Sequence, residues 1–144
     1  RHSIPIMIGA QGEKRALRIA VKHADIIHIT GFPTVKIARH KIDVIKKLCE
    51  RENREFKDLI LGIGVWVMPE EDDEWINWRA KNLSEGKGIR ESEALEFAKR
   101  SAGTENITSL LLEFHKLGID LFTLPGLNRD QIVKIAEEVM PELW

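Results

Sequence analysis

Apolar positions along the chain switch between short runs and helical stripes. Ile4, Ile6 and Ile8 fall on one side of a run from Ile4 to Gly9, with Met7 on the other. Apolar residues on both sides predict a strand covered on both faces, as in parallel sheets. Leu17, Ala20, Val21 and Ala24 then recur at helical spacing, predicting a helix over Glu13 to His23. Asp25 to Thr30 reads as a second strand, and Gly31-Phe32-Pro33 punctuates it. Thr34 can cap a helix running to about Cys49, with Ala38, Ile42, Ile45 and Cys49 as its stripe.

After the polar stretch "ENREFKD", Leu59 to Met68 reads as a third strand. Gly62 and Gly64 share one face of it with Trp66 and Met68, which predicts close packing there. Residues 70–101 are less regular. "PEEDDEWINWRAKNL" predicts a helix with acids in its first turn, where they suit the helix dipole. Trp75 and Trp78 lie on it either as a packing face or as a substrate wall. Ser84 to Gly88 is expected to be a loop, and "IRESEALEFAKRSA" a short helix. Thr104 can cap a helix striped by Ile107, Leu110, Leu111, Phe114 and Leu117 and ended by Gly118. Leu121 to Gly126 makes a fourth strand. The last helix, capped by Asn128, carries Ile132, Ala136, Val139 and Met140 until Pro141.

The order is strand–helix four times, with a helical insertion at about 70–101. This is an α/β chain with parallel strands and right-handed crossovers. Two architectures remain for a single domain over residues 1–144: a small open α/β sheet, or half of a β/α (TIM-type) barrel. A whole barrel takes about 250 residues, so 144 residues supply roughly four of its units.

Composition narrows the functions. Basic and acidic residues number 22 and 23, a net charge of −1, which lacks the electrostatic footprint of a general nucleic-acid binder. One cysteine, Cys49, rules out an internal disulfide framework and suits a reducing compartment. No apolar run approaches the roughly 20 residues that span a bilayer. A cytoplasmic protein is the expectation, and a sequence starting at Arg1 suggests a processed or excised piece. No zinc spacing and no Ser/His/Asp or Cys/His constellation is evident.

The chemistry concentrates at "GAQGEK", residues 9 to 14, where a strand gives way to a helix. Unpaired amides at a helix N-terminus and the positive end of its dipole favour an anion, above all a phosphate. Gly9 and Gly12 can let the backbone turn and approach a ligand, and Lys14 or Arg15 can add a charged contact. Glu13 can serve the helix start. The sequence lacks the Lys-Ser/Thr pair of a nucleoside-triphosphate loop and does not complete G-x-G-x-x-G. An ordinary βα turn with glycines for geometry is the alternative.

"PIMIGAQGEKRALRIAVKHADI" resembles the central segment of the luciferase-like flavin and deazaflavin oxidoreductases. Their pattern there is Pro-(apolar)-Gly-Gly-x-Gly-Glu-(Lys/Arg), then a helix ending in Ala-Asp. "AGTENITSLLLEFHKLGIDLF" and "LPGLNRDQIVKIAEEVMPELW" resemble later stretches of the family in the right order. The resemblance implies the C-terminal half of a β/α barrel, its strands five to eight. It places the phosphate of FMN or a deazaflavin at the turn after strand five, which here is Gly9, Ala10, Gln11, Gly12, Glu13 and Lys14. Ala10 stands where glycine is commoner. The Gly-Glu-Lys form leans toward deazaflavin.

On the second strand Ile26, His28 and Thr30 point one way, and Ile27 and Ile29 the other. If the polar set faces the barrel interior, His28 either touches the cofactor or is a satisfied interior histidine. The implied function is hydride transfer or monooxygenation on a small-molecule substrate, with no catalytic residue assignable. The implied partner is the missing N-terminal half-barrel or a second copy of the chain. The alternative is a truncated half-barrel that self-associates as a binding module without turnover.

Overall fold

A computed structural model of the chain describes residues 4–31 and 33–143. Contacts group into two units. One runs to Val65 and takes up Phe114–Thr123; the other comprises Trp66–Glu113 and the chain from Leu124 onward.

The first unit holds one sheet of four parallel strands: β1 (Met7–Ala10), β2 (Ile26–Ile29), β3 (Ile60–Gly64) and β4 (Leu121–Thr123). They lie in the order β1-β2-β3-β4, as consecutive βα units require. Gly9, His28, Gly62 and Leu121 stand in one register row, and Ala10, Ile29, Ile63 and Phe122 in the next. The fold is therefore the expected α/β arrangement.

The two faces of the sheet differ. Ala10, Ile27, Ile29, Leu61 and Ile63 point to one side and are buried. Helices α1 (Ala16–His23) and α2 (Val35–Arg51) contribute Leu17, Ala20, Val21, Ala38, Ile42, Ile45 and Cys49 to the same core. Each large side chain buried there stabilises by roughly 1.5–3 kcal/mol. The opposite face carries Met7, Gly9, Ile26, His28, Ile60, Gly62, Gly64, Leu121 and Thr123. Met7 at 52% and Ile60 at 46% remain exposed on it.

The expectation of a first strand covered on both faces is therefore corrected. Ile4 and Ile6, outside the strand, are exposed too, because β1 is an edge strand and its face away from the helices is left uncovered among the described residues. The first helix is also shorter than expected. Residues 13–15 form a turn, and the amide of Leu17, the second residue of α1, donates back to the Gly12 carbonyl at 2.9 Å. Thr34 caps α2 as expected, accepting from the Ile37 amide.

In the second unit Asp72 caps α3 (Asp73–Lys87) by accepting from the Trp75 amide at 2.9 Å. The helix continues through residues expected to be a loop. It ends only at Gly88, whose left-handed conformation at φ 62° suits glycine. α4 (Glu91–Arg100) follows, and Ile76, Ala98 and Ala102 form a small core with Met68, Trp75 and Ala80 against it. Thr104 begins α5 (Thr104–Lys116) inside the helix rather than as its cap; its hydroxyl donates to Glu138.

Asn128 and Gln131 close a capping box on α6 (Arg129–Lys134). A π-helical turn over Ile135–Val139 then shifts the phase of the apolar stripe. Ile135 and Val139 are buried, while Ile132, Ala136 and Met140, expected on the stripe, are exposed.

Candidate functional site

Gly9 and Ala10 close β1, with Ala10 buried at 2% exposure, and Gln11 and Gly12 project into solvent. The Ala10 carbonyl still accepts from the Thr30 amide at 3.2 Å, so the ladder ends there. From Gln11 to Lys14, no backbone amide has an acceptor among the described residues. These donors precede the N-terminus of α1, where the dipole adds partial positive charge.

The glycines do not serve the turn's conformation, since neither Gly9 nor Gly12 has a positive φ. Gly9 leaves room for its neighbour: a Cβ there would meet Thr30 Cγ2 at 3.0 Å. Gly12 makes no such room. Its nearest contact would be Ala16 Cβ at 3.9 Å, so neither backbone geometry nor packing within the chain demands a glycine.

Glu13 does not cap the helix. Its Oε1 accepts from Lys41 Nζ at 2.5 Å and contacts His40 Nε2 at 3.0 Å, tying the turn to α2. The hydrogen bond from Lys41, followed by the Lys41 and His40 charges, holds its carboxyl below the usual 4.5 despite some burial. Lys14 is exposed, and with Arg18, Lys47 and Arg51 it borders a charged groove of about 650 Å³ between α1 and α2.

His28 lies on the open face of the sheet, as the alternation along β2 implied. Its Nε2 is 3.0 Å from the Thr123 hydroxyl, so the imidazole crosses β3 to reach β4. Gly62 makes the crossing possible: a Cβ there would stand 3.1 Å from His28 Cδ2 and 3.2 Å from Leu121 Cδ2. The close packing expected at Gly62 is thus the histidine ring. Burial pushes the His28 pKa below 6.5, keeping the ring neutral at physiological pH. A neutral imidazole bonded to a hydroxyl can donate or accept a proton at its other nitrogen.

Sequence reasoning missed Thr123. Thr123 pairs with Gly64, outside the row His28–Gly62–Leu121, so the imidazole reaches it diagonally and pairing alone does not signal it. Cys49 is buried and its thiol pKa is raised by that burial, in keeping with a packing residue.

In the second unit the chain that leaves β3 and the chain that leaves β4 line an open cavity of about 340 Å³. Trp66 and Met68 come from the first, Pro125 and Gly126 from the second, and Trp75 and Trp78 from α3. The Trp66 and Trp78 rings stack at 5.3 Å with 5° between planes, and Trp75 leans on Trp78 at 6.5 Å. The tryptophans of α3 thus both pack and border a cavity. In α/β proteins ligands gather beyond the carboxyl ends of the strands, and in sequence both Gln11–Lys14 and Trp66–Met68 occupy that position.

Solved structures sharing this fold are enzymes of about twice the length. The coenzyme F420 dependent tetrahydromethanopterin reductase from Methanopyrus kandleri superposes with a TM-score of 0.74 at 14% identity, over 98% of this chain and 51% of its own. An F420-dependent secondary alcohol dehydrogenase in complex with an F420-acetone adduct gives 0.73 at 14% identity, over 99% and 50%. The oxygenating constituent of 3,6-diketocamphane monooxygenase from the CAM plasmid of Pseudomonas putida, a type II Baeyer-Villiger monooxygenase in complex with FMN, gives 0.61 at 9% identity, over 97% and 49%.

At these identities the likeness shows the fold alone, and the chain spans about half the length of each structure. No curated protein matches it. The sequence itself supplies the family. The pattern of luciferase-like monooxygenases matches residues 1–116, from the edge strand and its glycine turn to the end of α5, and the chain belongs to that family.

Proposed function

We propose that the chain is the C-terminal, four-unit part of a luciferase-like oxidoreductase. In this reading the turn from Gly9 to Lys14 binds the phosphate of FMN or a deazaflavin. The observation that carries it is Gly12, which sits among four unbonded amides where the chain's own geometry has no use for a glycine. A phosphate needs what that turn offers: N–H donors, a helix dipole and room for close backbone approach. The family match and the F420- and FMN-dependent neighbours support the cofactor class.

When bound, the cofactor supplies the hydride-transfer or oxygenation chemistry, and the protein binds and orients it. Gln11, Gly12, Glu13 and Lys14 hold the phosphate through their amides, with the Lys14 ammonium nearby. Ala10, its methyl buried against the helix-side core, ends the strand immediately before them. Glu13 fixes the turn by its bonds to Lys41 and His40. On the open face, neutral His28 anchored by Thr123 offers a polar contact to the cofactor body.

The exposed apolar residues of the β1 edge, Ile4, Ile6 and Met7, suit cover by the N-terminal half-barrel. The second reading, a self-associating module without turnover, draws on the same edge with a second copy as its cover. Size-exclusion chromatography with absorbance on added FMN and deazaflavin tests both. Retained cofactor supports the first reading, and a cofactor-free dimer the second.

A further inference from the structure

The groove between α1 and α2 is lined by acids that are already paired and by cations that are not. Glu13 accepts from Lys41 at 2.5 Å and meets His40 at 3.0 Å. Glu52 engages both carboxylate oxygens, one with Arg18 Nε at 2.6 Å and the other with Lys22 Nζ at 3.0 Å. Lys14, Lys47 and Arg51 line the same groove. Among the described residues none of these three has an ion-pair partner. The charge left over in the groove is therefore positive.

The chain gains little from this arrangement by itself. Lys47 and Arg51 stand four residues apart on α2, where like charges repel. The dipole of α2 compensates Arg51 in its last turn, but Lys14 precedes α1, at the positive end of that helix's dipole. The paired acids mark the two ends of the groove. Glu13 is tied to Lys41 and Glu52 follows Arg51, and along α2 Lys41 and Arg51 are about 15 Å apart at 1.5 Å per residue. A short anion fits between the two carboxylates, whereas a nucleic-acid strand or a long acidic peptide would have to run past one of them.

We propose that this groove binds a short polyphosphate, free or carried by a nucleotide, through Lys14, Lys47 and Arg51. Its volume of about 650 Å³ is that of a small-molecule site, roughly 300–1,000 Å³. Arg51 offers a planar fork of donors and the two lysines point charges, both suited to phosphate oxygens. Charge spread over several phosphates can meet cations on both helices, which a single-centre anion such as sulfate cannot. The groove shares only Lys14 with the cradle proposed for the cofactor phosphate, so Lys47 and Arg51 test it independently.

The test titrates tripolyphosphate and sulfate calorimetrically into the 144-residue protein at about 0.1 M salt, where long-range attraction is screened. Tripolyphosphate should bind at least tenfold more tightly than sulfate. The double variant Lys47→Gln, Arg51→Gln, at two exposed positions, should weaken tripolyphosphate at least tenfold and leave FMN affinity unchanged. Lys47→Arg, which keeps the charge, should retain it. Adenosine triphosphate separates the two sources: tighter binding than tripolyphosphate supports a nucleotide, weaker binding a free chain. Binding of neither anion, equal affinity for tripolyphosphate and sulfate, or tighter binding of a long polyglutamate peptide overturns the proposal. So does undiminished tripolyphosphate binding in the double variant with native circular dichroism.

Discussion

Gly62→Ala probes the reach of His28 across the sheet. The added methyl would stand 3.1 Å from His28 Cδ2 and 3.2 Å from Leu121 Cδ2, so at least one neighbour must yield by a few tenths of an ångström. Leu121 can rotate, but the imidazole is held at 3.0 Å by Thr123 on the far strand. Overpacking of this kind costs about 1–3 kcal/mol, and weakening the hydrogen bond adds up to about 1 kcal/mol. Against this, Gly62 lacks a positive φ, so alanine gains about 0.4–1 kcal/mol by restricting the unfolded chain. The balance is a loss of about 1–2 kcal/mol, read as a lower urea midpoint at unchanged slope. In a His28→Ala background the same substitution should cost little, giving a coupling of about 1 kcal/mol or more. The reasoning fails if Gly62→Ala is as stable as the parent, or if its cost is the same with and without the imidazole.

Three further outcomes follow from the geometry. His28 should titrate below 6.5 when its ring protons are followed by NMR. Because its folded pKa is depressed, the unfolded chain takes up the proton first, so stability should fall as pH drops from 6.5 through the folded value; His28→Gln should flatten that part of the profile. Gly12→Ala should leave thermal stability within about 0.5 kcal/mol, since the site is open and φ permits alanine; a large loss would mean the turn needs its glycine for folding. Asp72→Ala should cost about 0.5–2 kcal/mol by removing the cap on the Trp75 amide, measured by chemical denaturation.

The repeating pattern made the sheet legible, because four apolar runs separated by striped helices admit few arrangements other than consecutive parallel pairing. Alternation along β2 also set the direction of His28. What it hid was context. The apolar residues at both sides of β1 read as buried, yet periodicity records what a face can pack against, and among the described residues nothing buries Met7. α3 outran its expected end because Ser84 and Gly86 are tolerated in a last turn when Gly88 supplies the left-handed cap. The π-helical turn at Ile135–Val139 has no local signature in the sequence; Ile135 and Val139 are buried there, while Ile132 and Met140 on either side stay exposed. At the turn, residue types suggested an anion site, but only the three-dimensional arrangement separates Gly9, which yields space to Thr30, from Gly12, where a Cβ would crowd no described residue.

The central claim, a phosphate cradle at Gln11–Lys14, is tested most directly by comparing FMN with riboflavin, which differ by the phosphate alone. Equilibrium dialysis against the parent protein should show FMN held at least tenfold more tightly. Gly12→Asp, with a carboxylate among the amides, should abolish that difference while the protein stays folded. Equal retention of the two flavins, or a preference for FMN that survives in folded Gly12→Asp, would contradict the account.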